Sequence, residues 1–179
     1  YMIVKRTING ATTRYVEYLH TFNFDQTDNS SFNYLDSQLG LSKSQTTLTA
    51  GISATATTVP VASVSGLSSS GKIKIGGEII AYTGIASLNL TGCTRGQNIT
   101  SATAHLSGAV VKEVVNILGG LNHLEGQTVS ILADGATHPD KVVSSNSITL
   151  DRFATDVKIG LGYTSILKTM RIDAGSQDG

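Results

Sequence analysis

The chain has 179 residues, 40% of them hydrophobic and 15% charged, with thirteen basic side chains balanced by thirteen acidic ones. That balance excludes an intrinsically disordered chain and a membrane-spanning one, and it supplies no basic field to concentrate nucleic acid. A single cysteine, Cys93, excludes an intrachain disulfide and any site built from several thiolates, and the length suits one domain or two small ones.

No window of a dozen residues keeps apolar positions at a period of 3.6, and Ser, Thr, Gly and β-branched residues dominate, so the predicted fold class is all-β. The stretch MIVKRTINGATTRYVEYL predicts a hairpin over residues 2 to 19, because Asn9-Gly10 tolerates the positive φ of a two-residue type I′ loop. From Phe22 to Leu39 an Asx- and Ser-rich stretch predicts an ordered loop pinned by Phe22, Phe24, Phe32 and Tyr34. Near Ser42 the composition shifts to an almost uncharged tract whose alternation around Val59, Val61 and Val64 predicts strands with one buried face, and a second module begins there. Within it, GKIKIGGEIIAYTGI places Ile73 and Ile75 before Gly76-Gly77, which predicts another tight hairpin, with Ile79, Ala81 and Thr83 following in strand period. This module extends to Val114. Three further β runs, QTVSILADG, DKVVSSNSITL and TDVKIGLGY, then return the chain to a meander. Tyr1 at the start and the polar DAGSQDG at the end predict a fragment of a longer chain.

The stretch GLNHLEGQTVSILADGATHPDKVV gathers two His, two Asp and one Glu. His123 and Glu125 lie two apart, and His138, Asp134 and Asp140 share a turn-rich segment, so no pair has the i, i+4 spacing of a helical zinc site. The favoured reading is structural: Asp134-Gly135 and Pro139-Asp140 make turns, Gly126 reverses the chain before a strand, and His123 or Glu125 binds exposed backbone. Cys93 lies near Arg95 and His105, which raises the question of an activated nucleophile. Without a third, orienting group, a small buried thiol is favoured, with Arg95 bracing loop carbonyls or a carboxylate such as Glu78. The glycines of GKIKIGG flank a strand instead of opening a helix, which excludes a phosphate loop. Asn29, Asn89 and Asn98 each begin an N-x-[ST] triplet, readily produced by chance in a Ser/Thr-rich chain.

RTINGATTRYVEYLHTFNF, the insert's LTGCTRGQNITSATAHLSGAVV, and the whole of residues 119 to 179 resemble segments of large structural proteins of tailed bacteriophages. The similarity is to the long β-rich tail proteins of short-tailed phages, of the tail-nozzle or tail-tubular kind, found also among marine phages and prophages. Gly120 to Gly135 match G-L-x-H-L-E-G-x-x-V-x-x-L-A-D-G, and GLGYTSILKT matches G-L-x-Y-x-S-x-L-x-T. Many relatives pass directly from the aromatic loop to the first motif. The seventy or so residues between them here resemble a small β module of phage structural and adhesion proteins, with Ile99 where a Gly usually follows the Asn.

The resemblance implies a virion tail protein, made in the bacterial cytoplasm, with no catalytic residue, cofactor or metal. His123, Glu125, Gly126, Asp134 and Gly135 would form a signature structural turn. The expected organisation is a discontinuous β domain, 1–42 with 115–179, carrying an inserted β domain, 43–114, each barrel- or sandwich-like. Expected partners are other virion proteins and copies of the chain in a ring, without nucleic acid or membrane insertion. Two other functions compete. The insert could bind a host-surface glycan or protein through Tyr82 and Arg95, or the chain could be a polysaccharide hydrolase, which would need two carboxylates facing one groove.

Overall fold

The computed structural model describes residues 1–8, 10–18 and 35–162; Asn9, residues 22–34 of the aromatic loop expected over 22–39 and the final motif beyond Gly162 lie outside the described residues. Asp36 to Leu39, expected in that loop, are strand because they pair with the strand Asp156–Leu161. The described chain is all-β, with antiparallel pairing throughout and a lone 3-10 turn at Asn122–Leu124. Strands β1 (Met2–Ile8) and β2 (Ala11–Glu17) form the predicted hairpin, with Ile8 opposite Ala11 across a two-residue loop and Gly10 at φ 76°. The next strand, β3 (Asp36–Ser42), leads almost directly into β4 (Gln45–Thr47).

Residues 48 to 111 build one core. Here β5 (Thr58–Pro60), β8 (Gly84–Ala86) and β9 (Asn89–Thr91) form a small sheet, while β6 (Gly71–Ile75), β7 (Glu78–Tyr82) and β10 (Thr94–Gln97) join the sheet of β4 and β11 (Val110–Gly119). Leu48, Val59, Val61, Ile73, Ile75 and Ile80 are among the residues buried here. The Gly76-Gly77 hairpin forms, with Ile75 opposite Glu78. This register corrects the expected phase of the following strand. A two-residue loop places residues 75 and 78 on one face, so Glu78, Ile80 and Tyr82 turn inward, leaving Ile79 and Ala81 half-buried. The β8–β9 hairpin was not anticipated, since its strands are too short to show a period.

Residues 118 to 159 build the other core, with Leu39 and Leu41 of β3 packed against it. The strands β12 (Thr128–Ala133), β13 (Ala136–Val142) and β15 (Asp156–Leu161) form a sheet in the order β13-β12-β15-β3, and β14 (Ser147–Ala154) pairs with β11. The run DKVVSSNSITL thus divides at Ser145-Asn146, both at positive φ. Pro139-Asp140 do not turn the chain. Lys141 pairs with Val129 and His138 with Ile131, so Pro139 and Asp140 together oppose Ser130 in a bulge. Pro139 is tolerated because β13 is an edge strand, where its missing N–H breaks no inner ladder.

One strand belongs to both halves. The first residues of β11, Val110 to Val114, pair with β4 and β6, and its later residues, from Val115, pair with β14. Chain entry and exit also coincide: Ser42 lies opposite Asp156, and Val115 opposite Ala154, with the corner residue Thr155 accepting from the Lys43 N–H at 2.8 Å. The Glu113 N–H to Ser44 carbonyl bond, 3.0 Å, continues the β4–β11 pairing into this neck.

Candidate functional site

The signature residues stand where separate pieces of the fold meet. His123, in the 3-10 turn, places Nε2 3.2 Å from the Ser37 carbonyl and packs edgewise against Tyr15 of the hairpin, with ring centroids 6.3 Å apart. Glu125 accepts from the N–H groups of Ser145 and Asn146 at 2.9 and 2.7 Å, holding the β13–β14 turn. Gly126, at φ 75°, donates its N–H to Val143. Asp134 and Gly135, at φ 51° and 76°, form the two-residue turn between β12 and β13. One oxygen of Asp134 accepts from the Thr155 N–H, the Thr155 hydroxyl and the Asp156 N–H at 2.7 to 2.9 Å. Burial opposes this carboxylate's charge, but those donors and nearby Lys74 outweigh it and hold the pKa below its usual value. Asp134 therefore fixes the corner on which the neck is mounted.

The second cluster lies inside residues 48 to 111. Glu78, 2% exposed, accepts from Arg95 Nε and Nη2 at 2.8 Å each, from His105 Nε2 at 2.8 Å, and from the Gly96 and Thr103 N–H groups. Arg95 also donates to the Ser53 and Thr103 carbonyls. Burial would raise the Glu78 pKa, yet Arg95, His105 and the two backbone donors bring it down to about 2. Cys93 does not join this group. Its buried thiol donates to the Leu90 carbonyl, and burial pushes its pKa up against the pull of Arg95, the opposite of an activated nucleophile. Arg95 and His105 are committed to Glu78 instead.

The expectation that Tyr82 and Arg95 contact a host surface is corrected. Tyr82 is 2% exposed, its hydroxyl donating to the Ser68 carbonyl at 2.7 Å, and burial beside Glu113 pushes its pKa up to about 12. The Arg95 guanidinium is enclosed by its partners. Tyr82 faces inward because it shares its strand face with Glu78 and Ile80.

What remains for contact lies on the surface. Tyr1, Ile3, Val16 and Tyr18 are 86, 73, 64 and 74% exposed, and all belong to the outer face of the β1–β2 hairpin. The signal for this was present in MIVKRTI, where apolar residues occupy both strand faces and one set must point outward. A groove of about 450 Å³ beside the neck sets Lys74 and Lys112 facing Asp134 and Asp156. Just after β10, Ile99 is fully exposed at φ 64° beside Asn98 at 54°. Among the described residues no three His, Cys, Asp or Glu side chains are grouped as metal ligands would be. No protein-family model matches the sequence, and no curated protein matches it.

Proposed function

We propose that this chain is a structural component of the tail of a phage or prophage virion and acts through protein–protein assembly. The sequence resemblance over 6–24 and 119–179 suggests the setting. The observation that carries the reading is the outward apolar face of the hairpin, which has no packing partner among the described residues. Contiguous apolar surface of this kind marks contact with another macromolecule. The polar residues of the signature stretch meanwhile serve internal junctions, as an assembly protein requires. Immunogold labelling of virions with antibodies raised against the chain tests this. Label confined to the tail is expected, and virions that stay unlabelled while the cell lysate contains the protein would overturn it.

A second reading, binding to a host-surface glycan or protein, is favoured by one observation: Ile99 is held in a left-handed conformation at full exposure by a loop that the Glu78 cluster braces. Cell-surface pull-down with the chain and its Ile99→Ser variant decides it, since retention unaffected by the substitution removes that support.

A further inference from the structure

The outer face of the β1–β2 hairpin has a definite order. Three successive cross-strand rows run along it: Tyr1 beside Tyr18 with ring centroids 4.5 Å apart, Ile3 opposite Val16, and Lys5 opposite Arg14. Lys5 and Arg14 are exposed, and among the described residues neither makes an ion pair. The hairpin's carboxylate, Glu17, lies on the inner face, where it accepts from Arg6 at 2.6 Å. Like charges directly opposite on a ladder destabilise it, and exposed apolar rows forgo burial. Both features are costs to the chain standing alone. Both become favourable against one partner surface that sets apolar side chains on the first two rows and carboxylates on the third.

The face is also held in position. Arg6 bonds Glu17, Asp36 and Ser37, the Gln127 side chain donates to the Thr7 carbonyl at 3.3 Å, and Tyr15 meets His123. A docking partner therefore meets a preorganised surface, which lowers the ordering cost of binding.

We propose that this face docks an acidic, apolar-bearing surface of a neighbouring virion protein, with carboxylates over Lys5 and Arg14 and apolar side chains over Ile3, Val16 and the two tyrosines. The inference rests on the assembly reading and names the chemistry of one partner. A second copy docking row on like row through the same face would bring four cations together, which charge complementarity disfavours, and in the reversed orientation it would offer the cations no carboxylate. An acidic glycan would use the tyrosines as platforms and the cations as anchors, but the Ile3–Val16 row between them offers branched aliphatics that suit apolar protein side chains.

The test uses the whole chain and two synthetic β-hairpin peptides that present Leu, Val and Glu rows, or the same rows with Lys in place of Glu, followed by fluorescence anisotropy. The Glu peptide is expected to bind about tenfold or more tightly than its Lys twin. Lys5→Glu with Arg14→Glu should invert that preference, and Ile3→Ser with Val16→Ser should weaken both peptides about tenfold. Equal binding of the two peptides, or a preference that the charge inversion leaves unchanged, overturns the proposal. So does polygalacturonate binding with the same sensitivity in place of the Glu peptide, or self-association abolished by these substitutions. If the inverted hairpin unfolds, the unsubstituted chain still decides: its affinity for the Glu peptide should fall about tenfold between about 50 and about 500 mM NaCl, and salt-independent binding overturns the proposal. Tail labelling is independent of these peptides, so the docking proposal can fail while the assembly reading stands.

Discussion

Glu78 is a carboxylate enclosed by five donors, and its charge is part of the fold. Because its folded pKa is lowered from 4.5 to about 2, its contribution to stability is full above pH 4.5 and is lost as pH falls toward 2. The loss should approach about 3 kcal/mol across that window, measurable by urea unfolding at successive pH values. Glu78→Gln should be less stable at neutral pH by about 3 kcal/mol or more, since it strands the enclosed Arg95, and should show a weaker acid dependence. At Ile99 the expected effect is opposite. Ile99→Gly should stabilise the chain by about 1 kcal/mol in thermal or urea melts, because a β-branched residue leaves a left-handed position and no packing is lost. The pairing of Arg95 with Glu78 was legible because charges are scarce in this tract and an enclosed guanidinium needs a carboxylate. The burial of Tyr82 was not, since strand period alone leaves open which face is inside until the register of the Gly76-Gly77 turn is known.

Among the elements, β15 leaves no room for a side chain against the start of β3 at Gly160. A Cβ there would stand 2.6 Å from the Asp36 carbonyl oxygen and 2.7 Å from the Leu35 Cβ, at the register shift between Ile159 and Leu161. Gly160→Ala should therefore cost about 2 kcal/mol and loosen the start of β3, read as faster amide exchange in β3 than in β12. Glu125→Ala should cost about 1 to 2 kcal/mol by leaving the N–H groups of the Ser145-Asn146 turn without their acceptor. The hairpins closed by Asn9-Gly10, Gly76-Gly77 and Asp134-Gly135 could be read from sequence because turn chemistry fixes them locally. Pro139-Asp140 could not. A proline beside an aspartate signals a turn or an edge bulge equally well, and only the neighbouring strands decide between them.

For the whole molecule, the composition change at Ser42 was legible, whereas the adjacency of entry and exit was not, because it depends on pairings more than a hundred residues apart in sequence. Since Ser42 and Val115 sit opposite residues flanking the single corner residue Thr155, a short link can join them without strain. We expect a chain with 44–113 replaced by a Gly–Ser link to keep one cooperative unfolding transition, followed by circular dichroism. Loss of cooperativity would mean that the two cores fold only together. The shared strand makes some coupling certain, because truncating β11 removes its pairing with β4 and β6.

Strand β11 also has a mechanical consequence. A tether of loose linker would let the part built from residues 48 to 111 swing freely, but here the connection is a continuous strand backed by a second one. Tension applied to that part along the axis of β11 loads its ladder with β14 in shear, so the ladder bonds between Val115 and Gly119 resist together. Peeling would break them one at a time; pulling along the axis does not.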